Sequence, residues 1–269
     1  MAEKQLVYRQ SIWTRITHWV WAVALFFLLL SGLQIFNAHP ALYVGQESGF
    51  EYPNAWLIMQ SGNLDNRRAG VTTFLNRQYN TTGLLGLSAE NGVPTDRGFP
   101  DWATIPSSRD LATGRVVHFA AAWIFVFCLA VWLIASLFNR HLWRDIVPRL
   151  GDLRNLVPEI IAHVRLRFAH GRRYNPLQKI SYAVVLLVFF PLMILTGLAM
   201  SPGMNASWPW LIDVFGGRQT ARSIHFIVMV LLVLFFVVHI VMVVAAGPIN
   251  ELRSMITGWY RADAEEDRK

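Results

Sequence analysis

Charged residues are scarce in this chain of 269 residues, and their scarcity decides the class of protein. Asp, Glu, Lys and Arg together make up 15% of the residues, against about 25% in an average soluble domain. Four stretches contain none of them: residues 16–38, 116–139, 180–212 and 223–250. Each is longer than the roughly 20 residues with which a helix crosses about 30 Å of hydrocarbon. We therefore exclude a soluble globular protein and predict an integral membrane protein with four spans.

Cysteine is almost absent, since Cys128, in the second apolar stretch, is the only one. One cysteine cannot supply a Cys-x-x-Cys-His haem attachment, a four-thiolate cluster or an internal disulfide. The first apolar stretch also lacks a small-residue cleavage site and is longer than a signal-peptide core. We expect it to be retained as a helix.

Positive charge is unevenly distributed along the chain, which has a net charge of +7. Sixteen of the 24 Lys and Arg residues lie before the first span, between the second and third, or after the fourth. Short positive segments favour the cytoplasm, so we expect both termini there, with residues of about 37–113 and 201–221 outside. The basic excess is thus a topology signal, and it argues against a nucleic-acid partner.

The expected spans cover residues of about 14–37, 113–138, 178–200 and 221–247. The outer loop of about 38–112 is too long for a bare connector and is typical of a functional or docking loop. In the cytoplasmic segment of about 139–177, residues 143–170 have apolar positions at helical spacing. They predict an amphipathic helix on the inner surface or an ordinary solvated connector. The fold class is all-α: a single membrane domain over residues 1–269, with a disordered charged tail at 262–269.

Four of the eight histidines lie within or at the ends of the spans: His18, His118, His225 and His239. Ionisable side chains inside a membrane are costly and by default mark function, although any one could make a helix–helix hydrogen bond. Their depths match in pairs, with His18 and His239 at the inner level and His118 and His225 at the outer level. The two histidines of span four are 14 residues apart, which places them on one helix face about 21 Å apart.

Two imidazoles on opposite faces of a haem complete six-coordinate iron without cysteine. Zinc is disfavoured because each level offers two histidines and no nearby carboxylate or thiolate, and a proton relay needs no depth-matched pairs. We therefore predict a four-helix bundle that holds two stacked haems. Three arginines stand three residues before a histidine and could meet haem propionates or anchor the helices at the interface: Arg15, Arg115 and Arg222.

Several motifs in the spans resemble one known family. They are RITHWVWAVALFFLLLSGL at 15–33, GRVVHF at 114–119, RYNPLQKISY at 173–182, LTGLAMSP at 195–202 and the two histidines of span four. The chain is similar, over residues of about 8–261, to the di-haem cytochrome b subunit family of nickel–iron hydrogenases, membrane formate dehydrogenases and thiosulfate reductases. IFNAHPALYVG, FPDWATIPS, FGGRQTARSIHF and RSMITGWY are most similar to the thiosulfate-reductase-type branch.

This resemblance implies two haem b groups as cofactors. His18 and His239 would bind the iron of the cytoplasmic-side haem, and His118 and His225 that of the periplasmic-side haem. It also implies a quinone, menaquinone or ubiquinone, near the cytoplasmic-side haem, at the Tyr-Asn-x-x-Gln-Lys stretch of residues 174–179. The expected quinone contacts are Asn175, the backbone around Leu177, and Gln178. Asn175 before Pro176 is equally typical of a helix cap.

The resemblance implies an electron-transfer subunit of the bacterial inner membrane. Its partners would be a periplasmic oxidoreductase of the molybdopterin class and the quinone pool. Two alternatives stay open. A stand-alone oxidoreductase of the cytochrome b561 type could oxidise a small reductant such as superoxide, which a cationic funnel of Arg115, Arg218 and Arg222 would favour. A haem-free transporter or assembly factor has less support, because no span is broken or repeated.

Overall fold

The computed structural model describes residues 4–49, 52–64, 66–154, 156–165 and 175–263. Within them, four helices are long and apolar enough to cross a membrane: Ile12–Phe36, Leu111–Phe138, Pro176–Met200 and Arg218–Ala246. These bounds lie within three residues of the spans expected from the sequence. The mostly helical architecture with four candidate spans is thus confirmed.

The elements follow one another along the chain with short connections. In order they are β1 (Lys4–Tyr8), α1 (Ile12–Phe36), β2 (Ala41–Tyr43), β3 (Ala55–Leu64), β4 (Arg67–Phe74), β5 (Arg77–Asn80), β6 (Gly86–Glu90), β7 (Val93–Arg97), a 3₁₀ turn (Asp101–Ala103), α2 (Leu111–Phe138), a π-helical turn (Leu142–Ile146), α3 (Leu150–Arg154), α4 (Leu156–Val164), α5 (Pro176–Val184), a second π-helical turn (Val185–Phe189), α6 (Phe190–Met200), α7 (Pro202–Ser207), α8 (Trp210–Val214), α9 (Arg218–Ala246), α10 (Pro248–Thr257) and β8 (Trp259–Asp263). The third span is therefore α5, the second π-helical turn and α6 in succession.

Two of the long helices begin at side chains that accept backbone hydrogen bonds. Ser11 Oγ accepts the N–H of Thr14 at 3.2 Å at the start of α1, and Asp110 Oδ1 accepts that of Thr113 at 3.0 Å at the start of α2. These bonds satisfy donors that the first helical turn leaves without a partner. Hydrogen bonds from Thr113 also lower the pKa of Asp110. Gly247, with a φ of 108°, follows the last residue of α9 and ends that helix.

Internal contacts divide the chain into two compact units. The first unit consists of Met1–Trp21, Phe127–Pro191 and Val230–Lys269, and the second of Ala22–Val126 and Leu192–Met229. Each histidine pair falls within one unit: His18 and His239 in the first, His118 and His225 in the second. That the whole chain acts as a single membrane domain stays a prediction.

The connection between α1 and α2 is largely β structure, so the expectation of an all-α chain is wrong. In the second unit, β2, β3, β4 and β5 form an antiparallel sheet in that order, and β6 and β7 form a separate hairpin. Asn91 and Gly92, with φ values of 51° and 81°, join β6 to β7. Leu75 and Asn76, with φ values of 47° and 64°, join β4 to β5. Positive φ at both turn residues matches the right-handed twist of the strands.

The sheet packs on residues of the neighbouring helices within the second unit. The buried cluster is formed by Phe36, Leu42, Leu57 and Met59, with Trp56, Leu85, Phe99 and Phe226 against it. Trp56 Nε1 donates to Ser223 Oγ at 2.9 Å, and that hydroxyl donates to the Tyr43 carbonyl at 2.6 Å. The sheet is thus fastened to the first turns of α9, two residues before His225.

Arg97, at the end of β7, organises the chain that leads to α2. It is 2% exposed, and its NH1 lies 3.2 Å from Glu90 Oε2. Its guanidinium also donates to the Phe99 carbonyl, the Ser107 carbonyl and the Thr104 hydroxyl, at 2.8, 3.1 and 3.0 Å. A buried guanidinium needs such partners because its charge would otherwise be uncompensated.

The two ends of the chain meet in the first unit. Strands β1 and β8 pair antiparallel, with Lys4 opposite Asp263 and Tyr8 opposite Trp259. Tyr260 is 1% exposed, and the guanidinium of Arg9 lies 4.5 Å from the centre of its ring. Residues 262 and 263 belong to β8, so the expectation of a disordered tail from residue 262 onward is wrong for these two residues. Residues 264–269 lie outside the described residues.

The segment between α2 and α5 is not one amphipathic helix, and that expectation is wrong for its described part. Leu142 and Ile146 are buried against Trp132 and do not lie on a surface. Val147 is extended, because a residue before a proline avoids the helical region, so the helix stops before Pro148. Further on, α4 carries exposed apolar side chains, namely Val157, Ile160 and Ile161. Residues 166–174 lie outside the described residues.

Candidate functional site

The first unit holds the first histidine pair. The ring centroids of His18 in α1 and His239 in α9 are 6.4 Å apart, with an angle of 55° between the ring planes. Each centroid is thus 3.2 Å from their midpoint, which suits a metal ion about 2 Å from a ring nitrogen on either side. His239 also stacks on Phe235 at 5.9 Å. The structure thus brings His18 and His239 together, and their binding of a haem iron stays a prediction.

The C-terminal end of α10 lies beside the start of α1. Arg15 NH1 donates to the Ile256 carbonyl at 2.6 Å, and Trp19 Nε1 donates to the Met255 carbonyl at 3.1 Å. These bonds satisfy carbonyls that the last turn of a helix leaves without a partner. Arg15 Nε is buried and has no hydrogen-bond partner among the described residues. A propionate contact by Arg15 stays a prediction.

The second unit holds the second histidine pair. His118 lies in α2 and His225 in α9, and both belong to this unit. His118 Nδ1 lies 3.1 Å from Ser31 Oγ, and His225 Nδ1 lies 2.9 Å from Thr196 Oγ1. Each imidazole is therefore oriented by a hydroxyl of another helix.

The other two arginines have partners of different kinds. Arg222 NH2 donates to the His39 carbonyl at 2.6 Å, and its guanidinium lies 5.3 Å from the centre of the Phe36 ring. Burial, and then the nearby charge of Arg222, lowers the pKa of His39. Arg115 is exposed, and its guanidinium lies 5.8 Å from the centre of the Phe119 ring. Propionate contacts by Arg115 and Arg222 stay predictions.

The residues expected to bind quinone form the start of α5. Asn175 Oδ1 accepts the backbone N–H of Gln178 at 2.8 Å, and Gln178 Oε1 accepts that of Asn175 at 3.4 Å, with Pro176 in the first turn. This reciprocal pair is a capping box, so the capping role weighed from the sequence is present. Leu177 lies in the same turn, and all three side chains are half-buried. Quinone contact stays a prediction, and Tyr174 lies outside the described residues.

The two histidine pairs suit haem iron better than other metals. Within the described ranges, no group of three or more His, Cys, Asp or Glu side chains could hold a metal ion, which disfavours a structural zinc site. Each pair supplies two imidazoles, the donor set that a six-coordinate haem requires. A Cβ at Gly32 would lie 3.3 Å from His118 Cε1, and one at Gly197 would lie 3.6 Å from His225 Cε1. The residues present therefore fit the group.

Four apolar helices carrying paired imidazoles define a membrane protein of the b-type cytochrome class. The sequence matches the prokaryotic cytochrome b561 family over residues 9–258, and the chain belongs to that family, a haem b family. It is therefore a multi-pass membrane haem protein of the bacterial inner membrane.

One curated relative also matches. The putative protein-methionine-sulfoxide reductase subunit YedZ1 of Azospira oryzae is 25% identical over 233 residues, which are 86% of this chain and 87% of that protein. No solved structure matches the chain. The family is thus confirmed at the level of cytochrome b561, while the branch shared with hydrogenases, formate dehydrogenases and thiosulfate reductases stays a prediction.

Sequence reasoning missed the hydroxyls that contact the second pair. Ser31 and Thr196 each precede a glycine, in LLLSGL and LTGLAMSP. Both runs belong to the motifs that carry the family resemblance. The repeated hydroxyl–glycine pair was the signal that could have identified them.

Proposed function

We propose that this protein is the membrane electron-transfer subunit of an oxidoreductase complex, with two haem b groups that link a periplasmic redox protein to the quinone pool. The observation that carries the proposal is the occurrence of two separate imidazole pairs, one in each compact unit, that share helix α9. A single pair would serve one cofactor, whereas two pairs at different depths provide a route through the membrane.

His18 and His239 would hold one haem iron, and His118 and His225 the other. Bound haem would supply one-electron transfer, and the imidazoles would hold the iron six-coordinate in both oxidation states. The apolar residues around each pair would exclude water and set the redox potential. Arg15, Arg115 and Arg222 would lie at the membrane surfaces, where propionate groups carry negative charge.

The proposed partner is a periplasmic oxidoreductase. The name of the Azospira oryzae relative associates it with a protein-methionine-sulfoxide reductase, and we extend this association to the present chain as a candidate. The resemblance to the thiosulfate-reductase-type branch points to the molybdopterin class. The ordered β structure of residues 41–97 supports a protein partner over a small reductant such as superoxide, because a diffusing small molecule needs no sheet on the outer side.

Both termini are placed in the cytoplasm on the distribution of Lys and Arg. The pairing of β1 with β8 supports a common side for the two ends. Cysteine accessibility tests the placement: a cysteine introduced at Arg77, in β5, should react with a membrane-impermeant reagent in intact cells. A cysteine at Trp259, in β8, should react only after the membrane is opened.

The haem assignment is tested by a pyridine haemochrome assay and a redox titration of the purified protein. Two b-type haems per chain are expected in the wild type. His18→Ala and His239→Ala should each remove one haem, and His118→Ala and His225→Ala the other. Loss of the same haem from His18→Ala and His118→Ala contradicts the pairing, and a wild type without haem contradicts the proposed function.

The quinone site is placed at Asn175, Leu177 and Gln178, next to the haem of the first unit. Asn175→Ala removes both the cap and the amide, whereas Asn175→Ser keeps a capping oxygen but lacks the amide donor. Both variants should retain two haems and react more slowly with a quinol analogue. If Asn175→Ser reacts at the wild-type rate, the amide has a capping role alone and the assignment is wrong.

A further inference from the structure

Two groups of α1, a hydroxyl and a backbone carbonyl, hold the ring of His118. Its Nδ1 lies 3.1 Å from Ser31 Oγ and 3.1 Å from the Leu28 carbonyl oxygen. Ser31 is fully buried, and its one hydroxyl hydrogen is donated to the Phe27 carbonyl four residues earlier. The Leu28 carbonyl oxygen carries no hydrogen, and the hydroxyl hydrogen of Ser31 is already donated elsewhere. Both oxygens therefore accept, and Nδ1 of His118 is the donor. The unprotonated nitrogen of this imidazole is therefore Nε2.

The third span holds the ring of His225 in the same way. Its Nδ1 lies 2.9 Å from Thr196 Oγ1, and the backbone of Met193 is a second hydrogen-bond partner. Thr196 is fully buried, and it donates its hydroxyl hydrogen to the Leu192 carbonyl four residues earlier. Nδ1 of His225 is thus also a donor, and Nε2 again keeps the lone pair.

The two arrangements are copies of one local motif. In each, a carbonyl three residues before the hydroxyl contacts the same imidazole, and a glycine follows the hydroxyl directly. The sequences are LLLSGL at 28–33 and MILTGL at 193–198. The glycine brings the helix backbone close to the imidazole, because a Cβ at Gly32 or Gly197 would lie within 3.6 Å of the Cε1 atom that flanks Nδ1.

Among the described residues of the first unit, His18 has no such arrangement at its Nδ1. His18 Nδ1 is buried and has no hydrogen-bond partner among the residues that the structure describes. Thr17, the hydroxyl residue beside it in sequence, is 2% exposed and donates to the Trp13 carbonyl at 2.8 Å. It makes the same kind of bond to its own helix as Thr196 does, and it provides a matched control.

We propose that Ser31 and Thr196 are positioning residues for the haem of the second unit, which present Nε2 of His118 and His225 to the iron. The inference rests on the proposed function, since it concerns one of the two haems. A hydrogen bond donated from Nδ1 fixes the tautomer and makes the other nitrogen a stronger ligand. The stronger ligand favours ferric iron, so the hydroxyls lower the midpoint potential of this haem.

Thr196→Ala and Thr196→Ser separate the hydroxyl from the rest of the side chain. Both lose the methyl group, but only the alanine variant loses the hydroxyl. Removal of such a partner weakens metal binding by about 10- to 100-fold in other sites, so we expect the alanine variant to lose this haem faster on dialysis. Its midpoint potential should rise by about 59 mV for each tenfold loss of preference for ferric iron. The serine variant should behave as the wild type.

The measurement is an optical redox titration, combined with the haem-to-protein ratio after dialysis. The centre lost in His225→Ala identifies the haem of the second unit. Ser31→Ala should cause a comparable rise, because a backbone carbonyl, that of Leu28 or of Met193, still accepts from the imidazole in either single variant. The double variant with Thr196→Ala should cause the largest rise. Thr17→Ala should leave the midpoint potential of this haem unchanged. The Ser31 and Thr196 variants should leave the midpoint potential of the other haem unchanged.

Three results would overturn the inference. One is an unchanged potential and haem content in the Ser31→Ala/Thr196→Ala double variant. Another is an equal shift in Thr196→Ala and Thr196→Ser, and a third is an equal shift in Thr17→Ala. If Thr196→Ala does not fold, Ser31→Ala makes the same test at His118. A wild type with fewer than two haems refutes the proposed function itself, so the two failures are distinguishable.

Discussion

Replacement of Arg97 by methionine should destabilise the β6–β7 hairpin far more than replacement of Arg68. Arg97 is 2% exposed, and the variant leaves the Glu90 carboxylate, whose side chain is 17% exposed, without its partner. It also removes hydrogen bonds from three acceptors of the connection to α2, of which the Phe99 carbonyl still accepts from Asn37 Nδ2. Removal of one partner of a buried ion pair typically costs about 3–5 kcal/mol, and we expect a local loss of that size.

The control is an exposed ion pair that joins β4 to the same hairpin. Arg68 NH2 lies 2.7 Å from Asp96 Oδ1, which is closer than the Arg97–Glu90 pair, but both side chains are 54% exposed. Exposed pairs contribute about 0–1 kcal/mol because water and salt screen them. Burial, and not the distance between the charges, should therefore decide the outcome.

Amide hydrogen exchange of β6 and β7 in the detergent-purified protein measures both effects. A loss of about 3–5 kcal/mol accelerates exchange by roughly two to four orders of magnitude, and a loss of 1 kcal/mol by about fivefold. Addition of Glu90→Gln to Arg97→Met should recover part of the loss, because it removes the unpaired charge. Equal acceleration in Arg97→Met and Arg68→Met would refute the reasoning.

Three further changes test other parts of the fold. Gly92→Ala should destabilise the β6–β7 hairpin by about 1–2 kcal/mol in denaturant titrations, because its φ of 81° is costly for a residue with a Cβ; an unchanged stability contradicts the turn geometry. Burial and a neighbouring carboxylate raise the pKa of Tyr260 to about 12, so this stabilisation is complete below about pH 10 and is lost as the pH rises through 12; the part of the tyrosinate absorbance that Tyr260→Phe removes should appear with unfolding of β8, and not at pH 10. The backbone N–H of Arg149 and the Lys179 ammonium, 2.9 Å away, lower the pKa of Asp152. The contact of α3 with α5 should therefore persist above about pH 4 and weaken below it. Amide hydrogen exchange in α3 should show this pH dependence, and Asp152→Asn should abolish it.

The sequence was sufficient for the long helices, and it also led to the histidine pairs, whose role as haem ligands stays a prediction. Twenty or more apolar residues can satisfy their backbone groups in a membrane only as a helix or a closed barrel, which is why the span bounds were accurate. The pairing of His18 with His239 followed from depth alone. Depth depends on residue count, and residue count is read directly from the sequence.

The β structure of the second unit was not predicted, although part of its signal was present. Asn91-Gly92 is a strong hairpin turn, yet it lies in a loop judged mainly by its length. The turn at Leu75-Asn76 carries no such signal, because leucine rarely adopts a positive φ. The pairing of β1 with β8 joins strands separated by most of the chain, and no local pattern specifies it.

The orienting hydroxyls could not be assigned because contact depends on the rotation of each helix about its axis. Ser31 and Thr196 lie in the middle of apolar runs, where a hydroxyl commonly bonds to its own helix. Only the three-dimensional structure shows that the hydroxyls of Ser31 and Thr196 each also contact a histidine of another helix. Arg222 NH2 donates to the His39 carbonyl, a contact that its spacing from His225 does not indicate, and its propionate contact stays a prediction.

The pairing of the first strand with the last has a consequence for biosynthesis. The ribosome makes β1 before any span and β8 after all four, so the sheet can close only when the whole membrane region has been synthesised. A chain that stops before Trp259 leaves β1 as an unpaired strand, with Val7 deprived of the Tyr260 and Ala262 side chains that bury it. Exposed strand edges of this kind promote aggregation. The closed sheet thus distinguishes a chain that has been synthesised as far as β8 from one that stops before it.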